Sequence, residues 1–547
     1  MTRRLLPLFL LLVLAWLVVE PLALVGVESI RNDGGWTLDA VHAFAVESNE
    51  WRAAWNSTWL AALSVITGTL VGVPLALITR LASFPGRRVV SALLALPAVL
   101  PPLVGVVAFL FLYGESGVFA RSIMALSGSD VAPWRFEGGG AILLIHATTM
   151  YVYPYLLVRA ALATFDTSLI EAATALGAGR VRAMRTIVLP LLRPAIGNGA
   201  LLIALTSLAS FSAPYVFGGG FRVLPTQLIT TRLNGDVSVA MVETLVLVAL
   251  ALFCLGAATR LGGPGVRGAG KGLAATPAAS RKGWRRSLTG LVMAVVTMWL
   301  LLPHIALLGV SFVAPGAWTR TALPTAWTTG NYIALIAEPE RWRPFGTSLW
   351  MAGLAAAAAA ALALLVAVAA RDPRYRLSRW LEVALGLPWA VPGTVYAIAL
   401  ATMFSVTQPA AGRFILIGTL WLLPLAYLVR ALPIIGRAVV AAIRALDPSY
   451  DEAAAALGAG RWRTFRTITL PLLLPALAGA TALGFVTGLG DFMTSVILYT
   501  YDTRPVSLEI LGAIRQGELG IAAAYGVVIT LLSTAAFVLA ERSRGTA

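Results

Sequence analysis

Asp491 is the residue whose setting most demands a chemical explanation. It stands in Gly488-Leu489-Gly490-Asp491-Phe492-Met493, inside a long apolar stretch, where an ionisable group is costly and marks function. If it faces a pathway, its carboxylate could steer or transiently hold a cation; if not, it is a buried carboxylate bonded to neighbouring helix groups. A second chemistry is suggested by Glu171 and Glu452, each opening a Glu-Ala-Ala run that ends in Leu-Gly-Ala-Gly and three arginines (Arg180, Arg182, Arg185; Arg461, Arg463, Arg466). Acidic residues suit a helix N-terminus and Ala favours helix, so each run reads as a short helix, a glycine break and a second helical stretch. Its small Ala face suits docking into a shallow protein groove. His146 and His304 have no His, Cys or carboxylate at ligand spacing, which argues against a permanent metal site. The single Cys254 excludes an internal disulfide. Gly265 to Gly272 has the G-x-x-x-x-G-K spacing of a phosphate loop but lacks the Ser or Thr after Lys271, and no strand precedes it. It reads as a linker.

The elements that hold these groups are set by composition. Hydrophobic residues make up 59% of the 547, charged residues 12%, and mean hydropathy is +0.83, so lipid is the solvent for most of the chain. A membrane helix needs about 20 apolar residues, and such runs recur at 5–26, 58–80, 89–112, 141–163, 195–217, 239–261, 288–313, 346–370, 379–404, 414–434, 475–499 and 519–540. They are apolar all round, unlike the alternating strands of a membrane barrel, which leaves helices. The first run resembles a secretory signal, yet no A-x-A-like site follows it and it is long enough to span. The net charge of +16 could suggest nucleic acid, but with an inside N-terminus 29 of the 41 basic residues fall on or beside the cytoplasmic side. Retention of Lys and Arg in cytoplasmic loops accounts for the excess.

The chain is two copies of one unit. Residues 171–196 recur 281 positions later at 452–477, with 19 of 26 identical. Upstream the offset is 291: Ser57 answers Ser348, Arg80 answers Arg371, and Pro97 and Pro101 answer Pro388 and Pro392. The first half therefore carries about ten extra residues near 115–140. Both repeated segments follow an even number of crossings, so the duplication is parallel, a transporter plan. Residues 1–261 form the first half and 288–547 the second, with a basic linker over 262–287. Asp491 is answered by Ser210, beside Phe211. The paired prolines predict broken helices, either plain kinks or part of a translocation pathway.

Glu-Ala-Ala, Gly six residues after the Glu, and Ile-x-Leu-Pro together resemble the EAA loop of binding-protein-dependent ABC importer permeases. Both copies match, at Glu171, Ala172, Ala173, Gly177, Ile187, Leu189 and Pro190, and at Glu452, Ala453, Ala454, Gly458, Ile468, Leu470 and Pro471. The resemblance implies that these cytoplasmic segments are coupling helices, each seated in a cleft of a separate ATPase subunit. The Asp-Phe stretch after the second loop resembles permeases for ferric iron and thiamine, which makes Asp491, Phe492, Ser210 and Phe211 candidate pathway residues. The fold implied by this resemblance is an all-α membrane protein of about twelve transmembrane helices, two parallel six-helix repeats with the type I ABC importer permease (MetI-like) fold. Its expected partners are two copies of an ABC ATPase subunit and an extracytoplasmic substrate-binding protein. ATP and Mg are bound by the ATPase; this chain carries no cofactor, makes no covalent bond and is not an enzyme. Its expected place is the bacterial cytoplasmic (inner) membrane, with both termini cytoplasmic. Ferric iron is the first expectation for substrate, thiamine next, then polyamine, phosphonate or sulfate. A secondary transporter driven by an ion gradient also uses two parallel six-helix halves, but it needs buried proton carriers, and Glu20 and Asp491 are few. A non-transporting scaffold is the third reading.

Overall fold

The computed structural model describes residues 2–545 apart from 33–34, 99–100, 164, 167, 262–282, 319–320, 322, 372–375 and 406–410. Ten helices in the first half have counterparts in the second. They are α1 (Leu5–Glu28), α2 (Ser48–Leu81), α3 (Arg87–Leu93), α4 (Pro102–Tyr113), α5 (Gly138–Ala163), α6 (Ser168–Ala175), α7 (Val181–Leu208), α8 (Ser212–Phe217), α9 (Leu224–Leu233) and α10 (Val237–Leu261). The second set is α11 (Gly283–Val310), α12 (Pro339–Ala369), α13 (Arg376–Ala390), α14 (Gly393–Met403), α15 (Leu422–Ala445), α16 (Ser449–Ala456), α17 (Arg461–Leu489), α18 (Met493–Leu498), α19 (Val506–Arg515) and α20 (Leu519–Gly545). Among the described residues, eleven helices are long and apolar enough to cross a membrane, or twelve if α13 and α14, bent by 107° at their junction, form one span. The ten extra residues of the first half match the length of an added helix, Val118–Ser127.

Each half has a core of three long helices, α2, α5 and α7 in the first and α12, α15 and α17 in the second. Lipid offers no hydrophobic drive for helices to associate, so close approach of backbones must do it. In the second core Ala352, Ala355, Ala356, Ala359, Ala363 and Ala367 are buried along one side of α12. In the first, Gly72 takes that role: a Cβ there would lie 2.4 Å from the Tyr151 carbonyl oxygen and 2.8 Å from Pro154 Cγ. Gly72→Ala is expected to push α2 from α5 and destabilise the protein by about 2 kcal/mol, at the overpacking scale. Thermal unfolding in detergent would measure it, and an unchanged melting temperature would show the contact to be slack.

The first helix of each half crosses to the other half. α1 packs on α10 of its own half and on α13 and α14 of the second, while α11 packs on α20 and on α3 and α4 of the first. Tyr396 donates to the Val18 carbonyl at 3.4 Å, and Trp16 meets Phe404 edge to face. The halves are thus interlocked by a reciprocal exchange of their first helices.

Four expected spans shift. The run at 89–112 is broken into α3 and α4, with Pro101 capping α4 as Pro392 caps α14; proline removes an N–H and disfavours helix in the residue before it. The runs at 195–217 and 475–499 end early, at Leu208 and Leu489, and short helices α8 and α18 follow after a break. Asp491 therefore lies at a break, not within a helix. The run at 414–434 is displaced to Leu422–Ala445. Of the expected linker, 262–282 lies outside the described residues, the Gly265 to Gly272 segment included, and 283–287 already belong to α11.

Candidate functional site: two repeated segments and a central break

The repeated segments fold alike because their chemistry repeats. Asp166 Oδ1 accepts the Ser168 N–H and Asp447 Oδ1 the Ser449 N–H, both at 2.9 Å, so a side-chain turn launches α6 and α16. Bonding with Ser168, side chain and then backbone, holds the Asp166 carboxyl below its ordinary range; the backbone and side chain of Ser449 do the same for Asp447. A lowered carboxyl pKa supports the fold fully above the ordinary value of 3.8, and that support is lost only as pH falls through the lowered one. Each short helix then ends at a left-handed glycine, Gly177 (φ 81°) and Gly458 (φ 74°). Ala178 N–H reaches back to the Ala173 carbonyl and Ala459 N–H to that of Ala454, each at 2.9 Å. This is the glycine-terminated closure that leaves few carbonyls orphaned.

Beyond the turn, π-helical stretches at Met184–Val188 and Phe465–Thr469 lead into the long helices. The Leu189 N–H bonds to the Met184 carbonyl and that of Leu470 to the Phe465 carbonyl; Pro190 and Pro471, next in line, have no N–H to continue the regular ladder. Glu171, Ala172, Glu452 and Ala453 are exposed, Ala173 is half-buried and Ala454 buried. Leu176 and Leu457, at the tips, are 89% and 88% exposed.

The two copies are not tethered alike. Arg371 Nη1 lies 2.5 Å from Asp451 Oδ2, tying α16 to the end of α12. The counterparts are Arg80 and Ile170, and Arg80 Nε is buried without a partner.

The other candidate residues converge where the halves meet. Phe211 and Phe492 occupy equivalent breaks before α8 and α18, and their ring centroids are 5.7 Å apart. Tyr215 joins them, 5.0 Å from Phe211 and 6.0 Å from Phe492. Arg515 donates to the Tyr215 hydroxyl. Three aromatic rings thus close the seam between the halves.

Asp491 is next to this cluster but turned inward. Its side chain is 3% exposed, and Oδ2 lies 2.7 Å from Arg430 Nη1, whose side chain is 27% exposed. Oδ1 accepts the N–H groups of Thr494 (2.8 Å) and Ser495 (3.2 Å), the first turn of α18, and Thr494 Oγ1 donates to Oδ2 at 3.2 Å. Ser507 donates to the Asp491 carbonyl at 2.9 Å, and Tyr427 OH and Ser495 Oγ share a hydrogen bond at 2.6 Å. The first half replaces this with a neutral network. Ser210 Oγ bonds His146 Nε2 at 3.0 Å, and His146 Nδ1 meets Ser64 Oγ at 2.9 Å and Ser207 Oγ at 3.2 Å. His146 is thus a hydrogen-bonding hub; His304 sits apart in α11, its Nδ1 without a partner.

Sequence reasoning missed Arg430, Arg437 and Arg444. Placing the tenth span at 414–434 put the last two outside the membrane. Their seven-residue spacing in α15, two turns and so one face, was the available signal.

Comparison with known proteins agrees with the repeat. The family model described as "Binding-protein-dependent transport system inner membrane component" matches residues 68–268 and again 359–543. A probable ABC transporter permease protein, y4fN of Sinorhizobium fredii, is 29% identical over 97% of this chain and 95% of its own. The ferric transport system permease protein FbpB of Actinobacillus pleuropneumoniae is 28% identical over 88% of this chain and 70% of its own, and the thiamine transport system permease protein ThiP of Brucella suis 27% identical over 93% and 90%. Among solved structures, a bacterial ABC transporter for import of the polysaccharide alginate aligns with a TM-score of 0.38 at 18% identity, over 47% of this chain and 94% of that one.

Proposed function

The chain belongs to the binding-protein-dependent transport system inner membrane component family, as a fused two-half permease of a type I ABC importer with the MetI-like fold, and from that premise we propose that it moves ferric iron. The supporting observation is that the "Ferric transport system permease protein FbpB" of Actinobacillus pleuropneumoniae and the "Putative ferric transport system permease protein FbpB 1" of Haemophilus influenzae align with 88% and 90% of this chain, across both of its halves. Thiamine, whose ThiP permeases align over a similar length, is the second reading, and sulfate, matched over 46% of the chain, the third.

In this reading α6 and α16, through Glu171 to Pro190 and Glu452 to Pro471, each dock one copy of an ABC ATPase subunit that binds ATP and Mg. An extracytoplasmic binding protein delivers cargo to the opposite end. Both termini and both docking helices lie in the cytoplasm. Phe211, Phe492 and Tyr215 form the closed gate, with Ser210 and Asp491 behind it holding the gate helices α8 and α18. ATP-driven closure of the ATPase pair pulls the docking helices together and parts the rings; hydrolysis resets them. The permease itself makes and breaks no bond.

Uptake of radiolabelled ferric iron by membrane vesicles containing this permease, its ATPase and its binding protein tests the reading. ATP-dependent, vanadate-sensitive iron accumulation is expected. Thiamine or sulfate accumulation without iron would sink it, as would uptake without ATP. Phe211→Ala with Phe492→Ala is expected to open a leak, raising ATP-independent flux about tenfold, since each ring removed forfeits a buried aromatic contact.

A further inference from the structure

Arg430, Arg437 and Arg444 lie on one face of α15, a 24-residue helix about 36 Å long. Arg430 is paired with the buried Asp491, and Arg444 with Glu382. Arg437 stacks over Trp389 at 4.4 Å and has no carboxylate partner among the described residues, yet it is exposed. It stands about 22 Å from the outer end of the helix and about 12 Å from the inner end. A guanidinium at that depth facing lipid is too costly to be retained; it faces the bundle interior or water. The other faces of α15 are occupied by α12, α17 and α13. Tyr427, Ala431 and Ile435 meet Gly484 and Gly488 of α17, and Gly436 meets Leu385 of α13. At about 100° per residue the arginine face falls between these α17 contacts and α13, whose Trp389, Gly386 and Glu382 it touches along one edge.

Arg430 carries the stripe up to the break. Its Nη1 sits 2.2 Å from where a Cβ on Gly393 would be, against the first residue of α14, whose N-terminus carries positive partial charge. Beside it Thr394 Oγ1 is fully buried and has no partner. Asp491, which the sequence offered as a cation site, is covered by this arginine, so the group left accessible is positive. The counterparts of the three arginines in the first half are Thr149, Leu156 and Ala163. The stripe belongs to one half only.

We propose that Arg430 and Arg437 line the inner part of the translocation pathway, leading toward Arg444, and take cargo through anionic oxygen groups. The cargo is a small oxyanion, or a metal ion escorted by one. This rests on the importer reading above but not on iron as the substrate.

The probe is a cysteine at Ala441, exposed one turn below Arg437, in a Cys254→Ser background that leaves no other thiol in the permease, and labelling is read on the permease band alone. Inside-out vesicles holding the permease with its ATPase subunits are treated with an anionic and a cationic thiosulfonate reagent. The ratio of anionic to cationic rate is expected to exceed that of a free thiol by about threefold, by local attraction of the anion. It should fall to the free-thiol ratio in Arg437→Gln and persist in Arg437→Lys. A thiol unreactive from the aqueous phase would place the face against lipid and overturn the proposal, as would a ratio indifferent to Arg437→Gln. In uptake, Arg437→Gln is expected to lower transport about tenfold for sulfate, phosphate or ferric iron supplied with phosphate, the loss of one charge-assisted contact. Dependence of sulfate or phosphate uptake identifies a free oxyanion, and dependence of iron uptake only with phosphate present an escorted one. Sulfate uptake that needs Arg437, with no iron uptake, would sink the ferric reading and keep this one. Thiamine uptake indifferent to Arg437→Gln would overturn it.

Discussion

Asp491→Ala is expected to cost the assembled permease about 3 kcal/mol, and removing Arg430 in the same chain to return much of that, because breaking a buried pair strands a charge whereas removing both does not. The carboxylate is 3% exposed and Arg430 27%, so water relieves part of the stranded charge and the cost falls at the low end of the range for buried pairs. A second loss adds to it: the N–H groups of Thr494 and Ser495 at the start of α18 lose their acceptor, a cap worth about 1 kcal/mol. Asp491→Asn keeps a cap and loses the charge, so it should fall between. Unfolding of the single and double variants in detergent gives the coupling directly. The outcome against a structural role is clear. If Asp491→Ala melts like the parent and assembles with its ATPase but no longer transports, the carboxylate acts on cargo.

What could be read from the sequence, and what could not, divides along physical lines. The repeat needed only residue identity, and it carried the two halves, the paired proline breaks and the matching folds of the two Glu-Ala-Ala segments. The glycine turns were legible because Gly177 and Gly458 stand where a left-handed residue must close an Ala-rich helix. Hydropathy was the weaker guide. Phe414 to Val429 is so apolar that it drew the tenth span outward, whereas α15 starts at Leu422 and runs on through three arginines that tertiary partners and water make tolerable. That displacement hid the charged face of the helix. The sequence left Asp491 open between a pathway carboxylate and a buried one, and could not choose, since its partner Arg430 lies 61 residues away and the counterpart pair, Ser210 with His146, is neutral. The exchange of α1 and α11 between halves leaves no mark on periodicity at all.

The last expectation concerns the tips of α6 and α16, the helices proposed to dock the ATPase. Leu176 and Leu457 are 89% and 88% exposed, repeat at equivalent positions, and contribute little to the fold, so their replacement should leave stability unchanged. A leucine that becomes buried on docking contributes about 2 kcal/mol of apolar transfer, and a carboxylate in its place adds a desolvation penalty. Leu176→Asp or Leu457→Asp is therefore expected to weaken ATPase association by at least about thirtyfold at that site, with uptake falling in step and the melting temperature within a degree of the parent. The two sites should differ in one respect. α16 is tethered through Arg371 and Asp451, and α6 has Ile170 in the place of Asp451. The ion pair is partly exposed and adds no more than about 1 kcal/mol, but it links the docking helix to a core helix, so motion at α16 passes to α12 more directly. Arg371→Ala should then leave ATPase association intact and lower uptake per ATP hydrolysed, whereas Arg80→Ala should not. Co-purification with the ATPase separates docking from transmission. Normal co-purification of both Asp variants would remove the tips from the docking surface, and equal uptake per ATP in the two arginine variants would make the halves equivalent in coupling.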